Sequence, residues 1–337
     1  MKNQLFLSAA LIVVASITSG SVADEKVEVV VGGLKNPCGV AVQQGTGHVF
    51  VADSAAGRVV RVVDGQLEEV ITGSAGDIYG KGPKYDIGPL GLAFLNKDQL
   101  VVADGGYADG EENLRVFTLP ERGQSAIDYA DCTLIGPITG SEEIKPEGNL
   151  YGVAVTKEAI FTTCNGDDTK GWVSRSLING TKFEALERFI ATKELVNVDA
   201  PVAITVSPRG EVVVGQMGEI SVGNDSLLSF YNANDGKLLM NKETGLHDIT
   251  GLAYSPKGHL YATDFAWSAL EEGGLFRLDR EIIEGEQQIS PVKITGLDKP
   301  TALTFGKDGE LYITVIGPVD EGAQVGDGQL LKLAPGL

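Results

Sequence analysis

Gly39-Val40-Ala41-Val42 is met five more times in this chain, as Gly91-Leu92-Ala93-Phe94, Gly152-Val153-Ala154-Val155, Ala203-Ile204-Thr205-Val206, Gly251-Leu252-Ala253-Tyr254 and Ala302-Leu303-Thr304-Phe305. Each copy is a small residue, an aliphatic, Ala or Thr, and then a larger apolar side chain. Successive copies start 52, 61, 51, 48 and 51 residues apart. A tight turn and a second apolar run follow each copy: His48–Asp53, Gln99–Asp104, Ala159–Cys164, Glu211–Gly215, His259–Asp264 and Glu310–Val315. Several of the turns are built from Pro and Gly, as in Ser207-Pro208-Arg209-Gly210 and Ser255-Pro256-Lys257-Gly258, which suit hairpins. One hairpin per period of about fifty residues leaves room for four strands, the content of one propeller blade. The spacing therefore predicts an all-β fold, a six-bladed β-propeller of four-stranded blades. Small residues belong on its innermost strands, where six chains converge and a bulky side chain would strike its neighbour.

The last repeat tests the count. After Ala302 there are strands near 300–305, 310–315 and 328–333, and the sequence stops at Leu337. One outer strand is lacking. The run Lys26-Val27-Glu28-Val29-Val30-Val31 resembles outer strands elsewhere, such as Leu67–Ile71. It is predicted to pair with the last blade, closing the ring and covering an open edge.

Ahead of that run, Lys2, the apolar stretch Leu5–Ile17 and the closing Ser21-Val22-Ala23 read as a cleavable export signal, with cleavage after Ala23. The expected organisation is a signal over 1–23 and one propeller domain over 24–337, secreted or periplasmic, with no membrane span after cleavage. The chain has 44 Gly and only 13 Pro, in keeping with many short strands broken by turns. Its 27 Lys and Arg stand against 46 Asp and Glu, a net charge of −19. A surface that acidic repels phosphate backbones and anionic lipid, so nucleic acid is excluded as a partner. Cys38, Cys132 and Cys164 match no zinc or redox spacing and allow at most one disulfide, whose pairing the sequence leaves open.

The stretch Asn36-Pro37-Cys38-Gly39-Val40-Ala41-Val42, with Gly47–Ser54 and Gly57–Val62 after it, resembles an NHL repeat, and the other five blades match more loosely. That resemblance implies the propeller and a binding platform. Gluconolactonase-like propellers, related in shape, hold calcium at the axis with Glu, Asn and Asp, commonly just before the small residue. Here those places are taken by Cys38, Leu90, Tyr151, Val202, Thr250 and Thr301. Asn36, Glu147, Asn149 and Asp248 lie nearby as displaced ligands. Quinone-dependent sugar dehydrogenases share the outline, but their chemistry needs a His in the central mouth, and only His247 is placed near it.

Propeller connections from second to third strand, and from blade to blade, emerge on one face. In this chain they are long and unequal, which marks that face as the functional one. Tyr79, Tyr85, Tyr107, Phe265 and Trp267 lie in these loops and are the expected ligand-binding residues, since exposed rings stack at small entropic cost. The expected ligand is a small molecule, a glycan or a protein, bound by a monomer. The alternative is a metal-dependent hydrolase or lyase, lactonase-like, at the central mouth, with His247, Asp248, Glu147 and Asn149 as catalytic candidates. The oxygens of Asp104, Asp109, Glu111 and Asp264 are the candidate Ca²⁺ ligands. Asp53, Asp104 and Asp264 also recur at the end of the second strand, which favours a turn-bonding role. No P-loop, nucleophile elbow, zinc motif or dinucleotide fingerprint occurs in a supporting context.

Overall fold

Each repeat opens on a six-residue inner strand: Pro37–Val42, Pro89–Phe94, Leu150–Val155, Pro201–Val206, Ile249–Tyr254 and Pro300–Phe305. The computed structural model describes residues 26–80, 82–165 and 170–337, so the predicted export signal lies outside the described residues. Each inner strand pairs antiparallel with the second strand of its hairpin, as Val40 with Val51 and Leu252 with Ala262. Two further strands complete each blade, so that six blades of four-stranded plan result, two of them with a short fifth strand added. Neighbouring inner strands touch in the order of the chain, and the sixth touches the first. The fold is the predicted six-bladed propeller.

The reason for the small residue is visible at the axis. At Gly39 a Cβ would stand 2.1 Å from the carbonyl oxygen of Leu90, and at Gly91 it would stand 2.1 Å from that of Tyr151. The next inner strand's backbone occupies the space a side chain would need. Larger apolar residues further along the blades fill the wedges between them. Between blades 1 and 2, for example, Phe50, Val59 and Ile71 pack with Leu100, Val102 and Phe117.

Closure follows the prediction. Val27–Leu34 pairs antiparallel with Gly328–Leu333, from Val27 opposite Leu333 to Leu34 opposite Gly328, and becomes the outer strand of blade 6. The aspartates that end second strands are structural. Asp53 accepts from the Lys35 amide and pairs with Arg58, while Asp264 accepts from the amides of His247, Asp248 and Ala266. All three cysteines are free thiols. Two features go beyond the sequence reading: a small hairpin, Asp77–Tyr79 with Tyr85–Ile87, inside the loop between blades 1 and 2, and a short helix, Thr192–Val196, between blades 3 and 4. Among the described residues no helix is long and apolar enough to cross a membrane.

Candidate functional site

Where the six inner strands begin, the residue before each small residue turns toward the axis, so Cys38, Leu90, Tyr151, Val202, Thr250 and Thr301 form a ring. A second tier comes from residues one past the end of the second strand: Asn165, Met217, Phe265 and Ile316. Tyr79, Tyr85 and Ile87 reach in from the small hairpin, and Trp267 from the loop after Phe265. Together with Asn36 and Asn149 these residues enclose a cavity of about 60 Å³ at the mouth of the axis. Among the described residues none of the side chains lining it is charged.

Four of the five expected ligand-binding aromatics meet here. Trp267 stacks on Phe265 with centroids 4.5 Å apart and meets Tyr85 edge-on at 5.3 Å and Tyr79 at 6.4 Å. It also packs on Ala200, Val202 and Met217, so its ring reaches from the blade 4 side of the mouth to Tyr85 and Ile316 on the other. The fifth aromatic, Tyr107, lies elsewhere, half-buried over the Arg115 guanidinium of blade 2 at 5.2 Å.

Most polar groups around the cavity are already committed. Asn36 donates to the carbonyls of Asp86 and Gln324 and accepts from the Gly326 amide. Thr250 donates to the carbonyl of Pro300, Thr301 to that of Pro37, and Tyr151 to that of Thr301. Asn165 donates to the Tyr79 hydroxyl at 2.8 Å, yet burial pushes that phenol up to about 12, so it stays protonated. The exception is the Trp267 indole N–H, buried without a hydrogen-bond partner among the described residues. A buried donor left unpaired costs about 1–3 kcal/mol.

Trp267 is held in place from behind. Asp248 Oδ2 accepts from the Trp267 amide at 2.7 Å, and the preceding Ala266 takes a left-handed φ of 52°, unfavourable for a residue with a Cβ. Asp248 Oδ1 has no hydrogen-bond partner among the described residues. Burial pushes the Asp248 carboxyl up to about 7, with the Trp267 amide pulling the other way. This fixes a pH dependence. Below about pH 4 the group is neutral in both states; between 4 and 7 the unfolded chain ionises while the folded one keeps its proton, and stability falls; above 7 the loss is complete. Asp248→Asn retains an acceptor for the Trp267 amide and removes that loss. Thermal melts are expected to show a variant-minus-parent difference that grows from pH 4 to 7 and then levels; a flat difference would contradict the shifted carboxyl.

The other candidates are dispersed. His247 is buried and its Nε2 lies 3.1 Å from Glu272; Glu147 pairs with Arg188 at 2.8 Å. Of the calcium candidates, Asp104 is bound to Arg115, Tyr129 and the Asn113 amide, and Asp264 is spent on three backbone amides. Asp109 packs against Gly148, and Glu111 is exposed in a turn. Among the described residues no three His, Cys, Asp or Glu side chains stand where they could share a metal ion. Sequence reasoning named the ring before the small residues but missed Met217 and Ile316. Their signal was positional, since each directly follows a second strand, as Phe265 does.

Comparison with known protein families finds no match, and no curated protein matches by sequence. Solved structures do match. The chain is similar to a protein described as a glucose dehydrogenase from Thermus thermophilus (19% identity, TM-score 0.59, 92% of this chain and 100% of that one). It is also similar to a gluconolactonase from Xanthomonas campestris (16%, TM-score 0.60, 94% and 92%). A third match is a PQQ-bound aldose sugar dehydrogenase from Streptomyces coelicolor (15%, TM-score 0.61, 91% and 97%). At these identities what is shared is the fold: a six-bladed propeller whose structural neighbours are glucose dehydrogenase-like and gluconolactonase-like.

Proposed function

We propose that this protein, an exported propeller of the NHL type that its first blade resembles, binds a small, flat, largely apolar ligand at the axial mouth. The aromatic-covered cavity carries the reading. Among the described residues its wall has no charged side chain, and the hydroxyls of Tyr151, Thr250 and Thr301 and the amide hydrogens of Asn36 are bonded to the protein itself. A sugar would lose its water hydrogen bonds there and find few replacements. A ring loses little and gains aromatic contact. The donor set also fits poorly to the groups that the fold's relatives bring to mind. Calcium prefers several carboxylate or carbonyl oxygens, and the amide of Asn36 is turned into the loops that it ties together. An anionic quinone needs cations, and among the described residues no Lys or Arg lines the cavity.

Quinoline, glucose and glucono-δ-lactone separate the possibilities. Quinoline, a flat apolar ring pair, is expected to raise the melting temperature by stabilising the fold in a saturable way, at 100 times its Kd by about 2.7 kcal/mol. Glucose and the lactone are expected to leave it unchanged. Stabilisation by the sugar or lactone alone would reverse the proposal.

One observation favours a second reading, a lactone hydrolase acting beside this mouth, on the far side of Trp267. Asp248 is a buried carboxyl titrating near neutrality with one oxygen unpartnered, the condition of a general acid or base. Turnover of glucono-δ-lactone that is lost in Asp248→Asn would support it.

A further inference from the structure

Among the described residues that line the mouth, one buried side-chain polar atom has no hydrogen-bond partner. The Trp267 indole N–H is buried without a partner, while the neighbouring hydroxyls of Tyr151, Thr250 and Thr301 are used internally. Trp267 is not a bystander in the packing. Its ring sits among Tyr79, Tyr85 and Phe265 and packs against the cluster of Ala200, Val202 and Met217. Its backbone is fixed by Asp248 through the Trp267 amide and by Asp264 through the Ala266 amide. The position of the donor is thus set by the fold, and its partner is missing.

We propose that Trp267 is the specificity-determining residue of the axial mouth: its indole N–H is kept for a hydrogen-bond acceptor on the ligand. This inference rests on the binding role given under Proposed function and narrows it. The ligand class becomes a flat ring bearing a carbonyl oxygen or a ring nitrogen. The physical basis is the asymmetry of buried hydrogen bonds. A site built around an unpaired donor discriminates strongly against an analogue without the acceptor, because the donor then stays unpaired in the complex. Size argues in the same direction. A cavity of about 60 Å³ has room for about two waters at ~30 Å³ each, whereas an apolar cavity that takes benzene measures about 150 Å³. A ring therefore enters as the aromatic cover opens, displacing any water that serves the indole, and must serve it in turn.

Acetophenone and ethylbenzene differ in the acceptor and little in shape. The chain has two tryptophans, so Trp172→Phe leaves Trp267 as the one indole reporter and assigns its N–H resonance. Calorimetry on this variant is expected to show acetophenone binding at least tenfold tighter than ethylbenzene. The Trp267 indole proton is expected to move downfield with acetophenone and to stay in place with ethylbenzene. Trp172→Phe/Trp267→Phe keeps a ring and removes the donor, and the preference is expected to fall to within twofold, a change that a purely structural role for Trp267 would not produce. Equal affinity of the two probes for the Trp172→Phe protein would overturn this inference and leave the binding role standing. Binding of neither would overturn both. Should the double variant fail to fold, the indole shift in the single variant decides alone.

Discussion

Replacing Arg115 with methionine is expected to destabilise the protein by about 3–5 kcal/mol, the usual consequence of stripping one partner from a buried ion pair. Asp104 is 1% exposed and Arg115 8%. Arg115 Nε contacts both Asp104 oxygens, at 2.9 and 3.0 Å, and its guanidinium lies over the rings of Tyr107 and Tyr129 at 5.2 and 4.6 Å. Burial raises the Asp104 carboxyl, and Arg115 and the Tyr129 hydroxyl pull against it. Without the guanidinium the carboxylate keeps only a phenol and the Asn113 amide. Adding Asp104→Asn to Arg115→Met removes the stranded charge and is expected to recover part of the loss. Urea melts of the two variants check this. A single variant within 1 kcal/mol of the parent would mean that water reaches the carboxylate and that the network contributes little.

Deleting residues 26–34 is expected to abolish the cooperative melt. Val27–Leu34 supplies the outer strand of blade 6, and without it Gly328–Leu333 becomes a bare strand edge open to pairing between molecules. The strand also closes a core, because Leu34 is 1% exposed and packs with Val40, Val51 and Leu330. Leu34→Ala alone is expected to cost about 2–5 kcal/mol, the range for a large core side chain cut to alanine. For the deletion, size-exclusion chromatography is expected to show association, and melting a broad, low transition. A sharp transition in a monomeric deletion protein would show that the ring holds without its closing strand.

The fold was legible because a propeller repeats. Six copies of one short pattern, each followed by a hairpin turn, report the same local event six times, and the incomplete last repeat points to the run Lys26–Val31 by subtraction. The lining of the mouth was partly legible for the same reason, since Cys38, Leu90, Tyr151, Val202, Thr250 and Thr301 occupy one position of the repeat. The aromatics were legible as types but not as neighbours. Tyr79 and Trp267 are separated by three blades of sequence, and Tyr107 looks equivalent to them until its ring is found over Arg115.

What the sequence by itself determined is therefore the periodic part: strand positions, blade number, ring closure and the small residues where one inner strand's backbone meets the next. Those features depend on interactions within one repeat or between identical places in adjacent repeats, and local pattern records both. Only the tertiary structure decided which polar groups are spent and which are left over. Asp104 and Asp264 read as metal ligands on residue type and as turn-bonding side chains on their recurrence, and they prove to be occupied by Arg115, Tyr129 and backbone amides. The Trp267 indole reads as one more loop aromatic and proves to be a buried donor without a partner. Hydrogen-bond satisfaction belongs to pairs of atoms brought together by non-repeating loops, and no spacing along the chain encodes it.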